Sequence, residues 1–343
     1  MASTETSVSA KTESPQKKTK KFGLVLQGGG ALGAYEVGAI ECLYEHGMEC
    51  AIVAGASSGA VNGVTLAGAK GYPPDVLRDM WRGFAVDPKL PLPPAARHAW
   101  SVFGVPHMYV PRLDYWDFAH WTYVANNSPL RETLERLDWN QINDSGHMRV
   151  FLSATGIDDG QTRYFGNTGG QHLTVEHVLA SGAFPGGFPW IVIEGQPLVD
   201  GGTSNNTPLK PVIEHLKDHE AETMPIYTID VNTGAGPRPT NLTEMWLRMF
   251  ELLLQNHMET DMKRAGSYGR FIKVLKEIEG YVPQDAKIRQ SPDWKKVMEY
   301  VDLRHLHVID MKKPGGDSPS DFSPESIERR LDEGHKQMCA QLH

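Results

Sequence analysis

Hydrophobic and polar positions in this chain fall into two alternating patterns from residue 22 onward. Residues 22–26 (Phe-Gly-Leu-Val-Leu) and 51–54 (Ala-Ile-Val-Ala) are continuous apolar runs, the pattern of strands buried on both faces. Between them, Val37, Ile40, Cys42, Leu43 and Tyr44 form an apolar stripe over residues 34–46, with Gly47 where a helix C-cap belongs. A small-residue helical run follows residue 59 and ends near Gly71, and residues 73–84 repeat the helical pattern. This strand–helix–strand–helix order predicts a parallel sheet covered by helices.

Downstream the pattern breaks and then resumes. Residues 87–127 crowd prolines (Pro88, Pro91, Pro93, Pro94) and aromatics (Trp100, Phe103, Tyr109, Tyr115, Trp116, Phe118, Trp121, Tyr123) without a period. They predict an insertion over the sheet edge, either an irregular satellite core or a lipid-contacting cap. Ser128-Pro129 starts a helix to Leu137. Strand 148–155 turns through Asp158-Asp159-Gly160-Gln161 into 162–165 as a hairpin. Thr174 caps a helix through Ser181, 183–190 is loop, and 191–193 with 197–199 make a second hairpin. A helix at 207–219 and a strand at 225–231 complete the predicted core. Helical patterns at 242–265, 268–279 and 293–300, a strand at 306–311, a loop at 314–321 and a helix from Ser323-Pro324 follow. The organisation expected is a disordered tail at 1–21, an α/β core at 22–231 with the 87–127 insertion, and a mainly helical extension at 232–343.

Composition narrows the function classes. The 343 residues are 40% hydrophobic and 22% charged, with a net charge of −8, which disfavours a nucleic-acid partner. Cys42, Cys50 and Cys339 suggest neither a disulfide framework nor a metal site, and they fit a reducing compartment. No run has the length of a transmembrane helix, and residues 1–19 lack the apolar stretch of a secretory signal. A cytoplasmic location, peripheral to membranes at most, is expected. The sequence assigns no oligomeric state.

Three glycine-flanked pieces carry candidate chemistry. Gly55-Ala56-Ser57-Ser58-Gly59 is a G-x-S-x-G match between a predicted strand and helix. Such a turn can hold Ser57 exposed at a helix N-terminus as a nucleophile, or it can be a tight turn with a capping serine. Gly28-Gly29-Gly30-Ala31-Leu32-Gly33 also lies between strand and helix. Its backbone N–H groups suit an oxyanion, and equally a pyrophosphate, because the run satisfies G-x-G-x-x-G. A dinucleotide-binding oxidoreductase would then need an acidic residue closing the second strand, where Ser57 stands instead. Asp200-Gly201-Gly202 follows a strand and reads as a projected carboxylate or an Asx-turn. His215, His219, His257, His305, His307 and His335 follow Asp200, as a triad histidine would.

In order and context these pieces resemble the patatin-like phospholipase family over about residues 22–209. Gly28 to Gly33 is similar to its glycine-rich oxyanion motif, Gly55 to Gly59 to its nucleophile motif, and Asp200-Gly201-Gly202 to its D-G-G/A motif. The 181–185 block (Ser-Gly-Ala-Phe-Pro) and, more loosely, residues 321–326 also resemble family segments. One departure is Leu32, where the family often has Arg or Lys. The resemblance implies a three-layer α/β/α sandwich with a mostly parallel central sheet. It implies a Ser57–Asp200 dyad without histidine, an oxyanion hole from Gly28, Gly29, Gly30 and Ser58, and structural roles for Gly33, Gly55, Gly59, Gly201 and Gly202. Neither cofactor nor metal is implied. The expected activity is hydrolysis of lipid acyl esters through an acyl-enzyme, with a non-catalytic lipid-binding scaffold as the other reading.

Overall fold

Strand β1 (Lys20–Leu26) leads through a glycine turn into α1 (Gly33–Glu45), and β2 (Met48–Gly55) leads into α2 (Ser58–Ala67) and α3 (Pro73–Gly83). The computed structural model describes residues 19–90, 99–217, 223–232, 274–298, 306–310 and 318–343, with scattered positions at 220, 238–240, 245, 248, 249 and 252. Within 99–127 lies one two-residue antiparallel pair, β3 (Val110–Pro111) with β4 (Ala125–Asn126). The core then continues through α4 (Ser128–Glu135), α5 (Trp139–Ile142), β5 (Arg149–Gly156), β6 (Thr162–Gly166) and α6 (Val175–Ser181). Next come β7 (Ile191–Ile193), β8 (Gln196–Asp200), α7 (Gly202–Asn205), α8 (Leu209–Glu214) and β9 (Ile226–Asp230). The extension contributes α9 (Pro292–Met298), β10 (Leu306–Asp310) and α10 (Pro324–Leu342). The expected helix over 242–265 lies outside the described residues apart from single helical positions, as do 268–273 of the next helix and 1–18 of the expected 1–21 tail; Lys20 and Lys21, placed in that tail, begin β1 instead.

One eight-stranded sheet orders the strands β10-β9-β1-β2-β5-β8-β7, with β6 paired to β5. The pairs from β10 to β5 are parallel; β6, β7 and β8 add the antiparallel part. Both faces of the sheet are covered, so the central strands are buried along most of their length and their apolar side chains alternate between two cores. Phe22, Leu24 and Leu26 of β1 enter the larger core with α1, α3 and α10. Val25 points the other way, into a smaller core with Ile52, Phe151 and Val212 of α8. This is the expected α/β/α sandwich, and parallel β1 and β2 bring their carboxyl-end turns to one edge.

Two expectations meet a different outcome. The helix expected at 207–219 is only Leu209–Glu214. His215 turns its Nδ1 to the Pro211 carbonyl, 2.9 Å away, and Lys217 N–H donates to Glu220, so the next turn has its own partners. The cysteine expectation is corrected: Cys42 and Cys339 form a disulfide, with Cα atoms 5.8 Å apart, and Cys50 is a buried free thiol. A separation of 297 residues leaves no spacing signature. The pair meets because α1 and α10 pack backbone to backbone: a Cβ on Gly38 would fall 1.9 Å from the Leu331 carbonyl oxygen. The 99–127 segment is anchored by Trp100, Met108 and Tyr109 against the main core. Its outer aromatics are largely exposed, Trp116 by 88% and Phe118 by 65%.

Candidate active site

Ser57 stands at the sharp turn between β2 and α2 with φ 52° and ψ −121°. For a residue with a Cβ that backbone costs about 1–3 kcal/mol, so the surroundings must hold it. They do so by close approach. A Cβ on Gly55 would fall 2.3 Å from the Gly59 carbonyl oxygen, and one on Gly59 would fall 2.5 Å from that of Leu26. The Ser57 N–H is held by Ser181, by its carbonyl at 3.2 Å and its hydroxyl at 3.1 Å. Ser57 is half-buried and sits at the N-cap of α2, where the helix end favours developing negative charge.

Asp200 ends β8 and is 1% exposed. Its carboxylate accepts the Gly202 N–H at 2.7 Å and the Ser57 hydroxyl. Burial pushes its pKa from the ordinary 3.8 up to about 6, against the opposing pull of the bonds from Ser57 and Gly202. Its backbone is fixed on three sides. Asp200 N–H donates to the Ala183 carbonyl at 2.9 Å, Gly201 N–H donates to Ser181 at 3.2 Å, and Thr155 donates to the Asp200 carbonyl at 2.9 Å. Ser181 therefore holds both the Ser57 turn and the Asp200 turn. Gly201 is required by closeness too, since a Cβ there would lie 2.3 Å from the Ser153 carbonyl oxygen. Gly202 contributes its N–H to the carboxylate.

The glycine run abuts Ser57: a Cβ on Gly28 would fall 2.6 Å from the Ser57 Cβ. Two of the four expected N–H donors already have partners. Gly28 N–H donates to Asn206 Oδ1 at 2.8 Å, and Asn206 Nδ2 returns a bond to the Gly28 carbonyl at 2.9 Å. Gly29 N–H donates to the Ser58 hydroxyl at 3.0 Å. Gly30, at φ 54°, and Ser58 have backbone N–H groups with no acceptor among the described residues. Gly33 lets α1 close on α3 and α2, where a Cβ would meet the Trp81 ring at 2.7 Å and the Ser58 Cβ at 3.0 Å. Behind the run, buried Glu36 accepts from Gln27 N–H and from Asn62, each at 2.8 Å, and Asn62 accepts from the Trp81 indole. Burial raises the Glu36 carboxyl well above the carboxylate range.

Several residues of this site are not visible as motifs. Asn206 reaches Gly28 from 178 positions away. Arg330, fully buried on α10, donates to the carbonyls of Ala31 at 3.2 Å, Asp321 at 2.7 Å and Ser318 at 3.0 Å. Leu32, the departure noted above, is a buried core residue, and a guanidinium reaches the neighbouring Ala31 from the extension instead. The only sequence signal was an arginine on the apolar stripe of Ile327, Leu331 and Met338. Of the candidate histidines, His215 packs on Phe151 and His335 bonds Glu45, neither beside Ser57. His219, His257 and His305 lie outside the described residues, as does the His307 side chain. Among the described residues, groups able to share a metal ion involve Cys42, Glu45, His46, His335 and Cys339, at the end of α1 opposite the glycine run.

The fold and this juxtaposition define a three-layer α/β protein whose elbow serine bonds a buried carboxylate at the sheet's edge. A family model described as patatin-like phospholipase matches residues 24–213, more than half of the 343-residue chain. The chain belongs to the patatin-like phospholipase family, a family of lipid acyl hydrolases. No curated protein sequence matches it. Among solved structures it is similar to VipD from Legionella pneumophila, with 16% identity and a TM-score of 0.44, over 94% of this chain and 66% of that one. The chain thus spans just under two-thirds of VipD's length.

Proposed function

We infer that the protein is a serine hydrolase that cleaves fatty-acyl esters of phospholipids or related lipids. The observation that carries this reading is the Ser57 hydroxyl donating to buried Asp200 from a strained elbow. Asp200 takes the Ser57 proton as Oγ attacks the ester carbonyl. The N–H groups of Gly30 and Ser58 hold the oxyanion; each such donor is worth on the order of 3 kcal/mol of barrier. Collapse of the tetrahedral intermediate expels the alcohol, which recovers the proton from Asp200. Water, deprotonated by the same carboxylate, then attacks the acyl-enzyme and releases the fatty acid. Gly28 and Gly29 shape the site rather than donate.

The substrate is read as lipid presented at a surface. The outward aromatics of the 99–127 segment suit an interface, and this segment reaches the site's rim. Val124 and Ala125 N–H groups donate to Gly186 and Gly187 at 3.1 and 2.9 Å, in the loop that also holds Asp200 through Ala183. No helix among the described residues is long and apolar enough to cross a membrane, so contact is proposed to be peripheral. A panel of phospholipid, neutral-lipid and soluble esters, with Ser57→Ala as blank, tests the reading. Hydrolysis lost in the variant supports it; equal rates in both proteins refute it.

A further inference from the structure

The C-terminal ends of α1 and α10 lie side by side. Tyr35 bonds Gln337, Cys42 joins Cys339, and the rings of His46 and His343 stand 5.5 Å apart, so the two helices run in the same direction. Each carries one cysteine and one histidine four residues apart, Cys42 with His46 and His335 with Cys339. That spacing puts both members of a pair on one helix face. Cys42 Sγ is 3.6 Å from His46 Nδ1, and Cys339 Sγ is 3.8 Å from His335 Nε2 and 4.0 Å from its Nδ1. The donor atoms of Cys42, His46 and Cys339 all fall within 4.8 Å of one another. Tetrahedral zinc, with arms of about 2.3 Å to sulfur and about 2.0 Å to nitrogen, places neighbouring ligand atoms about 3.3–3.8 Å apart. The sulfur–imidazole spacings are already near that value. For a four-ligand site three things must change: the two sulfurs, now bonded to each other, must part; His46 Nδ1 must leave the Cys42 carbonyl, 2.8 Å away; and His335, which groups with Cys339 but not with both Cys42 and His46, must close on them.

We propose that reduction of the Cys42–Cys339 disulfide opens a tetrahedral Zn2+ site, ligated by Cys42, His46, His335 and Cys339, that takes over the bridge between α1 and α10. Two thiolates with two imidazoles are a donor set zinc favours. Glu45 Oε2 stands 2.7 Å from His335 Nε2; a carboxylate on the outer ring nitrogen orients a ligating histidine and leaves Nδ1 for the metal. The last turns of both helices present carbonyl ends, which favour a cation. Half-exposed Cys339 gives a reductant access. A dithiol attacks that sulfur, the protein S–S bond breaks through a mixed disulfide, and the reductant leaves as its own disulfide. The protein keeps two thiols, whose protons are released when Zn2+ binds as two thiolates. Since α10 also carries Arg330 to the glycine run, either bridge secures the helix on which that contact depends.

The full chain, reduced with excess dithiol and desalted without air, is titrated with Co2+ and then Zn2+. The reduced protein should take one Co2+, with a thiolate-to-cobalt charge-transfer band and tetrahedral d–d bands, and Zn2+ should remove both. The oxidised protein should show neither. His335→Ala should lose the tetrahedral d–d bands, and Glu45→Gln should weaken binding about 10- to 100-fold. Circular dichroism reports whether each variant folds, and exposed Glu45 keeps the test open if the histidine variant does not. Reduced protein that binds Co2+ no better than a Cys42→Ser, Cys339→Ser double variant overturns the proposal. So do cobalt bands indifferent to both His335→Ala and Glu45→Gln.

Discussion

Asp200→Asn should inactivate the protein and stabilise it. Asp200 is wholly buried, and its pKa rises from the ordinary 3.8 to about 6, chiefly because burial disfavours the charge. Because the folded value lies above the unfolded one, the full stability is present below about pH 4 and is lost as pH rises through about 6. Two units at about 1.4 kcal/mol each put the cost of the charge near 3 kcal/mol at pH 8, and about half of that at pH 5. Asparagine keeps an oxygen for the Gly202 N–H and removes the charge. Urea unfolding at pH 5 and pH 8 should therefore find the variant more stable, by up to about 3 kcal/mol at pH 8 and by less at pH 5. Ester hydrolysis should be lost at both. A variant less stable than the parent at pH 8, a gap that does not change with pH, or retained turnover would refute the reasoning.

Other outcomes follow from the same contacts. If Asp200 is the base, kcat/KM should fall as pH drops through about 6 with the slope of a single group, read from a pH–rate profile; a flat profile down to pH 5 contradicts this. Arg330→Met removes three charge-assisted bonds to backbone carbonyls, so unfolding should show a loss of about 3 kcal/mol or more, with kcat falling as the glycine run loosens. Trp116→Ser with Phe118→Ser removes exposed aromatics. It should lower turnover on vesicles several-fold and leave a soluble ester unaffected.

The nucleophile turn was legible because its signal is local. An apolar run meets Gly55, Ser57 and Gly59, and those glycines answer to carbonyl oxygens within 2.6 Å of where a Cβ would stand. The parallel order of β1 and β2 was legible for the same reason. Asp200 was legible only through family resemblance, since a carboxylate before two glycines is more often a turn. The choice among N–H donors was hidden, because Asn206 and Ser58, which occupy Gly28 and Gly29, come from other elements. So was Arg330, whose role depends on where α10 docks. The Cys42–Cys339 bridge had no signature because each half is an unremarkable cysteine on a helix; only the docking of α10 on α1, close at Gly38 and Gly334, brings them together.

The central claim is that Ser57 Oγ forms the acyl bond. A fluorophosphonate probe followed by intact-mass and peptide mass spectrometry tests it directly. The account predicts one adduct per chain, on the peptide carrying Ser57, absent from Ser57→Ala and strongly reduced in Asp200→Asn. An adduct on another residue, or equal labelling of Ser57→Ala, would contradict it.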